Sequence, residues 1–411
     1  SSTALRFVRR DRLQRNLEFC EMQVATGETE VLITESVEDA FLERQDVRYV
    51  KPGGDMIWWS ERTGWGHLYL YDHQGKLKNA ITSGAWRVES VSAVDEKKGQ
   101  LWFTATGRER GENPYHTHLY RVNFDGTGLT LLDAGDADHS ATLSPTRGFH
   151  VDNFSRPDLT PKAVVRDANG KVVMELEEMD LSRLQETGWK MPETFNVKAA
   201  DGVTDIYGVM WKPFDLDPNK KYPIIAHVYP GPQTESVGST FSATSNNQRL
   251  AQLGFVVVQI GNRGGNPKRS NAYHSFGYYN LRDYGLADKK AGIEQLGLRH
   301  RWIDIDRVGI YGHSGGGFMT AAALLQPPYN DFFKVGVSSA GNHDNNVYNQ
   351  NWSEQHHGLK EVRELKDGEF VTKFEIKVPA NHELAANLKG NLLLVHGDMD
   401  NNVHTAGTIR L

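Results

Sequence analysis

One pattern repeats through the first 190 residues: two alternating apolar segments joined by a short polar turn that contains glycine. The turn glycines Gly27, Gly75, Gly126 and Gly170 stand 48, 51 and 44 residues apart. Such turns predict β-hairpins, because glycine tolerates the positive φ that a tight hairpin requires. Further strand-like segments precede the last three hairpins, so one period holds about four strands, as a propeller blade does.

The repeat therefore predicts β-propeller blades over residues 1–190, with an irregular β-sandwich as the alternative. Four blades of this size are few for a closed propeller, so the propeller is expected to be only partly present, with further blades before residue 1. The sequence starts without an initiator methionine and stops at "HTAGTIRL", where a helix begins. We expect a fragment that lacks both ends of its parent protein.

The pattern changes from residue 191 onwards. The segment "ADGVTDIYGVMWKP" still has the alternation of antiparallel strands, and continuous apolar runs then alternate with helical stretches: "YPIIAHVY", "FVVVQIG", "RVGIYG", "FKVGVSSA" and "NLLLVHG". Strands buried on both faces have such apolar runs, and alternation with helices predicts a doubly wound, mostly parallel sheet. In the connecting helix "DYGLADKKAGIEQL", Leu286, Ile293 and Leu296 share one face while Asp288 and Lys289 point elsewhere.

Charge and hydropathy exclude two classes of partner. The 46 Lys and Arg against 52 Asp and Glu give a net charge of −6 without a long basic run, so no nucleic-acid partner is expected. No apolar stretch approaches the roughly 20 residues of a membrane helix, and the first residues lack the apolar core of a signal peptide. Cys20 is the only cysteine, which excludes an intrachain disulfide and a cysteine-based zinc site.

The segment "YGHSGGGF" places a serine at Gly-x-Ser-x-Gly spacing, through Gly312, Ser314 and Gly316. The strand-like "RVGIY" precedes the serine and the helix-forming "GGFMTAAALL" follows it. This context predicts a nucleophile elbow, a sharp turn that exposes the serine hydroxyl at the edge of an α/β-hydrolase sheet. The helix start also provides N–H groups and a positive dipole end for a developing oxyanion. The alternative is a glycine-rich turn without chemistry.

The acid of such a site comes later in the chain, on a loop after a further strand. Asp398 and Asp400 directly follow "NLLLVHG" and are the candidates. Asp398, Asp400 and Asn402 also have the i, i+2, i+4 spacing of a calcium loop. That loop needs Gly at its sixth position and Glu at its twelfth, where this chain has Val403 and Ile409. We therefore expect no calcium at this loop. Acyl transfer through a serine needs no metal and no organic cofactor, so neither is expected.

The general base is the missing member of the site. His404 is the only histidine after Asp400, and it is too close in sequence to lie across the site from a serine. Earlier histidines, among them His313 and the His356–His357 pair, violate the expected order of serine, acid and histidine. We interpret them as wall or surface residues and expect the catalytic histidine beyond Leu411.

The chain resembles the prolyl oligopeptidase family of serine peptidases, and within it the dipeptidyl peptidase IV branch. The resemblance covers nearly all 411 residues, and its most specific segments are "SERTGWGHLYLYD", "HVYPGPQ", "GNRGG", "RVGIYGHSGGGFMTAAALL" and "LLLVHGDMDNNVH". It implies β-propeller blades over residues 1–190 and an α/β-hydrolase catalytic domain over residues 191–411, whose C-terminal end is missing.

The resemblance also implies roles for residues at the reaction centre. Ser314 matches the family's nucleophile, and Asp400 matches its triad acid because the "NNVH"-like segment follows it. Tyr229 matches a tyrosine that donates a hydrogen bond to the oxyanion together with the N–H of Gly315. From position alone, Tyr229 is more simply explained as a packed ring near a turn.

On the substrate side, Asn402 and Val403 match residues near the acyl portion, and Tyr348 matches a wall of the pocket that accepts proline. The family has a tyrosine where this chain has Gly315, and "GNHDNN" replaces an aromatic cluster before Tyr348. These departures put strict proline specificity in doubt. The paired glutamates that bind a substrate's amino terminus are expected in sequence before residue 1.

The resemblance implies a peptide substrate and release of N-terminal dipeptides through an acyl-enzyme. It is compatible with a homodimer and favours a periplasmic or secreted location over the cytoplasm. Two alternatives stay open from the sequence: a carboxylesterase on the same fold, and an inactive propeller-hydrolase protein that acts through binding.

Overall fold

The computed structural model describes residues 3–282 and 284–411. Its first half consists of antiparallel sheets that follow one another in chain order. The first sheet contains β1 (Ala4–Arg10), β2 (Asn16–Gln23) and β3 (Thr29–Ser36). The second contains β4 (Arg48–Tyr49), β5 (Met56–Ser60), β6 (His67–Tyr71) and β7 (Leu77–Ala80). The third contains β8 (Arg87–Asp95), β9 (Gln100–Thr106), β10 (Thr117–Asn123) and β11 (Thr130–Leu131), and the fourth β12 (Asp138–Leu143), β13 (Phe149–Arg156), β14 (Leu159–Asp167) and β15 (Val172–Glu178).

The repeating glycines occupy equivalent places in these sheets. Gly27, Gly75, Gly126 and Gly170 each lie in the turn between the last two strands of a sheet, with φ of 75°, 82°, 86° and 85°. Positive φ is the conformation that the sequence pattern requires. The predicted period of four strands is confirmed for the second, third and fourth sheets.

The second, third and fourth sheets each pack against the preceding sheet at their turn glycine. A Cβ on Gly75 would lie 2.4 Å from the carbonyl oxygen of Leu32 in β3, and one on Gly170 would lie 2.6 Å from that of Leu132, just after β11. The glycine is therefore needed for close approach as well as for φ. Apolar side chains bury the remaining sheet-to-sheet contact, and Leu17, Phe19 and Ile33 of the first sheet form one cluster with Met56, Trp58 and Tyr69 of the second.

The second half is built on one seven-stranded sheet in the order β16-β17-β19-β18-β20-β21-β24. Its strands are β16 (Glu193–Lys198), β17 (Asp205–Trp211), β18 (Tyr222–His227), β19 (Val256–Ile260), β20 (Ile303–His313), β21 (Phe333–Ser339) and β24 (Asn391–Val395). The pairings of β18 with β19, β18 with β20, β20 with β21 and β21 with β24 are parallel, whereas β17 is antiparallel to β16 and β19. The prediction of a mostly parallel sheet is confirmed.

Helices lie on both faces of this sheet. The helices are α1 (Ser182–Gln185), α2 (Asn246–Ala251), α3 (Asn271–His274), α4 (Leu286–Arg299), α5 (Gly315–Leu325), α6 (Tyr329–Phe332), α7 (Gln350–Ser353) and α8 (Ala406–Arg410). Apolar residues of α4 and α5 share one buried cluster with the sheet, and Ala251 of α2 belongs to another cluster with Val209, Trp211 and Val257. An exposed hairpin of β22 (Lys360–Lys366) and β23 (Glu369–Glu375) lies between β21 and β24 in the chain. Among the described residues, no helix is long and apolar enough to cross a membrane.

Helix α4 differs from its sequence pattern in one respect. Leu286, Ile293 and Leu296 are buried as predicted, but Asp288 and Lys289 are 0% and 1% exposed. The Lys289 ammonium donates a hydrogen bond of 2.6 Å to the carbonyl oxygen of Ile260, and burial lowers its pKa to about 8. Asp288 forms an ion pair of 2.9 Å with Arg263. The two charged residues are therefore part of the contact between the helix and the strand ends.

Candidate active site

Ser314 lies in the turn between β20 and α5, as the sequence predicts. Its backbone has φ 56° and ψ −120°, a conformation that a residue with a side chain rarely adopts. The Ser314 N–H donates a hydrogen bond of 2.8 Å to the carbonyl oxygen of Ser339, at the end of the neighbouring strand β21. The strained turn lifts the serine above the carboxyl edge of the sheet, which is the geometry of a nucleophile elbow.

Gly312 and Gly316, two residues before and two residues after Ser314, have no room for a side chain. A Cβ on Gly316 would lie 2.1 Å from the carbonyl oxygen of Val228, and a Cβ on Gly312 would lie 2.5 Å from the same atom. Val228, the residue after β18, therefore contacts the turn directly. Glycine at both positions is a packing requirement of the elbow as well as a sequence motif.

Tyr229 follows the end of β18, the parallel neighbour of β20. Its half-buried phenol faces Ser314. Burial raises the pKa of Tyr229, and a hydrogen bond with the Ser314 side chain opposes that rise. A Cβ on Gly315 would lie 3.6 Å from the phenolic oxygen, so the two sequence-predicted oxyanion groups are neighbours. The Gly315 N–H is in the first turn of α5, where an amide has no intrahelical acceptor.

Asp400 follows β24, which lies two strands from β20 and runs parallel to it. Asp400 and Ser314 are thus at the same edge of the sheet. The carboxylate Oδ1 accepts hydrogen bonds from the N–H of Val403 at 2.9 Å and of Asn402 at 3.0 Å, and these bonds lower the pKa of Asp400. The acid is held ionised and oriented by its own loop.

No histidine in residues 3–282 or 284–411 hydrogen-bonds to the Ser314 side chain. His313 contacts Ser339 at 3.0 Å, and His396 contacts Val403 at 2.8 Å. The His396 Nε2 also lies 3.6 Å from Asp400 Oδ2, a contact that the sequence analysis missed. The segment "VHGDMD" could have predicted this contact, because His396 and Asp400 are four residues apart just after the same strand.

The His356–His357 pair was expected at a wall or the surface, and for His357 the surface alternative is wrong. His357 is 2% exposed, and its ring packs edge-on against Trp352 with centroids 5.2 Å apart. Burial lowers the pKa of His357 to about 3. Residues 354–358 form a π-helical turn that directs this ring inward, which the sequence pattern did not indicate.

The predicted substrate-side residues come together beside this site. The Tyr348 hydroxyl donates a hydrogen bond of 3.4 Å to Asn402 Oδ1, and Val403 is 3% exposed. Trp352 packs edge-on against Tyr348 with centroids 5.5 Å apart. Tyr348 and Trp352 thus supply aromatic surface near the loop that carries Asp400.

Among the described residues, two side-chain groups have the composition of metal sites, and both lie in the first half of the chain. They are Glu112 with His116 and Asp136, and Asp133 with His139 and Asp152. Arg156 lies 2.6 Å from Asp136, and Arg166 lies 2.8 Å from Asp152. A guanidinium at this distance neutralises the carboxylate and repels a cation, so these groups are ion-pair networks of the fold.

Sequence reasoning also missed a buried group behind Tyr229, centred on Glu235 and Asn262. They are 3% and 0% exposed. The signal for this group was "GNRGG", because Cβ atoms on Gly261 and Gly265 would lie 2.8 and 2.7 Å from the Glu235 carboxylate oxygens. The glycines make space for the carboxylate.

Comparison with known proteins finds relatives for both halves of the chain. Residues 1–161 match the family profile of the dipeptidyl peptidase IV N-terminal region, and residues 240–411 match that of the prolyl oligopeptidase family. The chain is 29% identical over 362 residues to dipeptidyl peptidase 4 of Trichophyton tonsurans, covering 84% of this chain and 44% of that protein. It is 29% identical over 422 residues to human dipeptidyl peptidase 8, covering 92% of this chain and 45% of that protein. The chain therefore spans less than half the length of these relatives.

A solved structure gives the same assignment for the fold. The crystal structure of dipeptidyl peptidase 4 from Porphyromonas gingivalis superposes with a TM-score of 0.80 at 23% identity, covering 99% of this chain and 56% of that one. Because the two family profiles match consecutive parts of the chain, and the turn at Ser314 lies within the second, the chain belongs to the prolyl oligopeptidase family, in its dipeptidyl peptidase IV branch.

Proposed function

We propose that this chain carries the nucleophile and the acid of a serine peptidase that releases N-terminal dipeptides from peptides. The observation that carries the proposal is the strained turn at Ser314, with Tyr229 beside it and Asp400 at the same sheet edge. Relatives named dipeptidyl peptidase 4 and 8 support the substrate class.

In the proposed mechanism, the Ser314 hydroxyl attacks the peptide carbonyl carbon while a histidine takes its proton. The carbonyl oxygen becomes an oxyanion that accepts hydrogen bonds from the Tyr229 phenol and the Gly315 N–H. Collapse breaks the C–N bond, the histidine protonates the departing amine, and water hydrolyses the acyl-enzyme. Asp400 orients the histidine and stabilises its imidazolium. We place this histidine after Leu411.

We further propose that residues 1–190 are blades of a β-propeller and that residues 191–411 form the catalytic domain. The packing of Gly75, Gly126 and Gly170 against the preceding sheet supports the propeller. A propeller above the carboxyl edge of the catalytic sheet would admit peptides and exclude folded proteins. Tyr348, Asn402 and Val403 would then contact the substrate.

The test uses the full-length gene product and its Ser314→Ala variant. Dipeptidyl p-nitroanilides with proline or alanine in second position, the same anilides with a blocked amino terminus, and p-nitrophenyl butyrate are compared as substrates. We expect hydrolysis of the free dipeptidyl anilides, little hydrolysis of the blocked ones, and a loss of about 10⁴-fold or more in kcat for Ser314→Ala.

The other outcomes contradict the proposal in distinct ways. Preference for the butyrate ester over every anilide would indicate a carboxylesterase. Equal cleavage of blocked and free peptides would indicate an endopeptidase. Fluorophosphonate labelling that persists in Ser314→Ala would show that another residue is the nucleophile.

A further inference from the structure

Five buried polar side chains lie behind Tyr229 and have no part in the chemistry above. Each is at most 7% exposed: Tyr115, Glu235, Asn262, Tyr273 and Tyr284. Burying this many polar groups costs free energy of folding unless the groups are hydrogen-bonded to one another or to the main chain. Their contacts converge on the peptide that follows Tyr229.

The carbonyl oxygen of Pro230 is fixed from two sides. Asn262 Nδ2 donates a hydrogen bond of 3.1 Å to it, and the Tyr284 hydroxyl donates one of 2.6 Å. Pro230 is bonded directly to Tyr229, so these two bonds fix the backbone from which the phenol projects. A shift of this carbonyl would move the phenolic oxygen relative to Ser314.

Asn262 is in turn held through its main chain. Its N–H donates a hydrogen bond of 3.1 Å to Glu235 Oε2, and its carbonyl oxygen accepts one of 2.9 Å from the Tyr273 hydroxyl. Glu235 is six residues after Tyr229, in the same loop. The loop that carries Tyr229 therefore closes on itself through Asn262.

The first half of the chain contributes to this group. Tyr115, in the connection between β9 and β10, donates a hydrogen bond of 3.1 Å to the Tyr273 hydroxyl. A continuous series of hydrogen bonds thus runs from Tyr115 through Tyr273 and Asn262 to Pro230. The small sheets and the oxyanion loop are coupled through buried polar atoms.

Glu235 forms no ion pair with any residue that the structure describes. Its Oε1 is buried and has no hydrogen-bond partner among the described residues. Burial raises the pKa of the Glu235 carboxyl, and hydrogen bonds from Tyr115 and the Asn262 N–H and the charges of Lys289 and Arg269 oppose this rise. Tyr273 and Tyr284 are further titratable neighbours of Glu235. Glutamine has nearly the same shape as this side chain and keeps an oxygen that can accept the Asn262 N–H.

We propose that Glu235 and Asn262 are positioning residues that hold Tyr229 at the oxyanion site, and that Tyr115 couples the small sheets to them. This inference rests on the proposed function, because it assigns Tyr229 to the oxyanion. If Asn262 acts on kcat only by positioning Tyr229, then replacing Asn262 should have no effect on kcat in a protein that already lacks the Tyr229 hydroxyl.

A double-mutant cycle on the full-length gene product tests this, with Asn262→Ala, Tyr229→Phe and their combination. We expect each single variant to lower kcat at least tenfold with KM changed less than threefold. The combination should lie within about twofold of Tyr229→Phe. Effects on kcat that multiply, or an Asn262→Ala variant with unchanged kcat, would overturn the proposal. Active-site titration counts the folded sites in each variant.

If Asn262→Ala fails to fold, Glu235→Gln and Glu235→Ala replace it in the same cycle. The Glu235→Gln variant should keep kcat within threefold. The Glu235→Ala variant should lose at least tenfold in kcat when Tyr229 is present, and the loss should disappear in the Tyr229→Phe background. Tyr115→Phe should lower kcat less than Glu235→Ala. Equal kcat in Glu235→Gln, Glu235→Ala and Tyr115→Phe would show that Glu235 does not position Tyr229.

The substrate keeps this test separate from the proposed function. If the protein hydrolyses p-nitrophenyl butyrate but no peptide, the peptidase proposal fails, and the same cycle on the ester still decides the positioning role. If no hydrolysis depends on Ser314, both proposals are wrong.

Discussion

The phenolic oxygen of Tyr229 lies 3.6 Å from the place where a Cβ of Gly315 would stand. A side chain from one strand end and an amide from the start of a helix thus border the same small space beside Ser314. Two donors fixed before the reaction are effective because they need no reorganisation as charge develops.

Tyr229→Phe removes one of these donors and leaves the ring. We expect kcat to fall by about 100- to 1,000-fold, the usual cost of losing one oxyanion donor, with KM within a few fold. Steady-state kinetics with a dipeptidyl anilide measure both constants. A large rise in KM at unchanged kcat would mean that the phenol binds the ground state of the substrate.

Asp400→Asn keeps the shape of the acid and removes its charge. We expect kcat to fall by about 10⁴-fold, because the amide cannot hold the base histidine in its reactive tautomer. Asp398→Asn is the matched control, since Asp398 is exposed on the same loop, and its kcat should change less than threefold. Equal losses of kcat in Asp400→Asn and Asp398→Asn would show that Asp400 is not the catalytic acid.

Gly316→Ala should destabilise the fold, because its Cβ would lie 2.1 Å from the carbonyl oxygen of Val228. Overpacking of this kind costs about 1–3 kcal/mol or more in the free energy of unfolding. Gly315→Ala is the control one residue earlier, where the nearest atom would be 3.5 Å away. Urea titration compares them, and equal midpoints would show that the turn can relax.

His357 should make the protein less stable in acid. Its folded-state pKa is about 3 and its unfolded value is about 6.5. The unfolded chain therefore binds a proton first, so stability falls as the pH drops from 6.5 towards 3. At pH 5 the cost is about 2 kcal/mol.

His357→Phe removes this titration and keeps an aromatic ring against Trp352. Urea midpoints at pH 7.5 and pH 5 should show a smaller acid loss in the variant than in the parent. If the difference between the two proteins is the same at both pH values, His357 does not carry the effect.

Local sequence determined the elements that need only short-range information. The turn glycines Gly27, Gly75, Gly126 and Gly170 require positive φ, and that requirement is visible in composition and spacing. The apolar runs of the parallel strands and the motif around Ser314 are equally local. For that reason the repeat of strands, the mostly parallel sheet and the elbow were all predicted.

Tertiary structure decided which polar residues are buried and what they contact. Asp288 and Lys289 lie off the apolar face of α4, yet packing against the strand ends buries both. Glu235 and Asn262 are ordinary loop residues until folding brings them together behind Tyr229. The glycines of "GNRGG" are a local signal of close packing, but which distant side chain packs against them is decided by three-dimensional proximity.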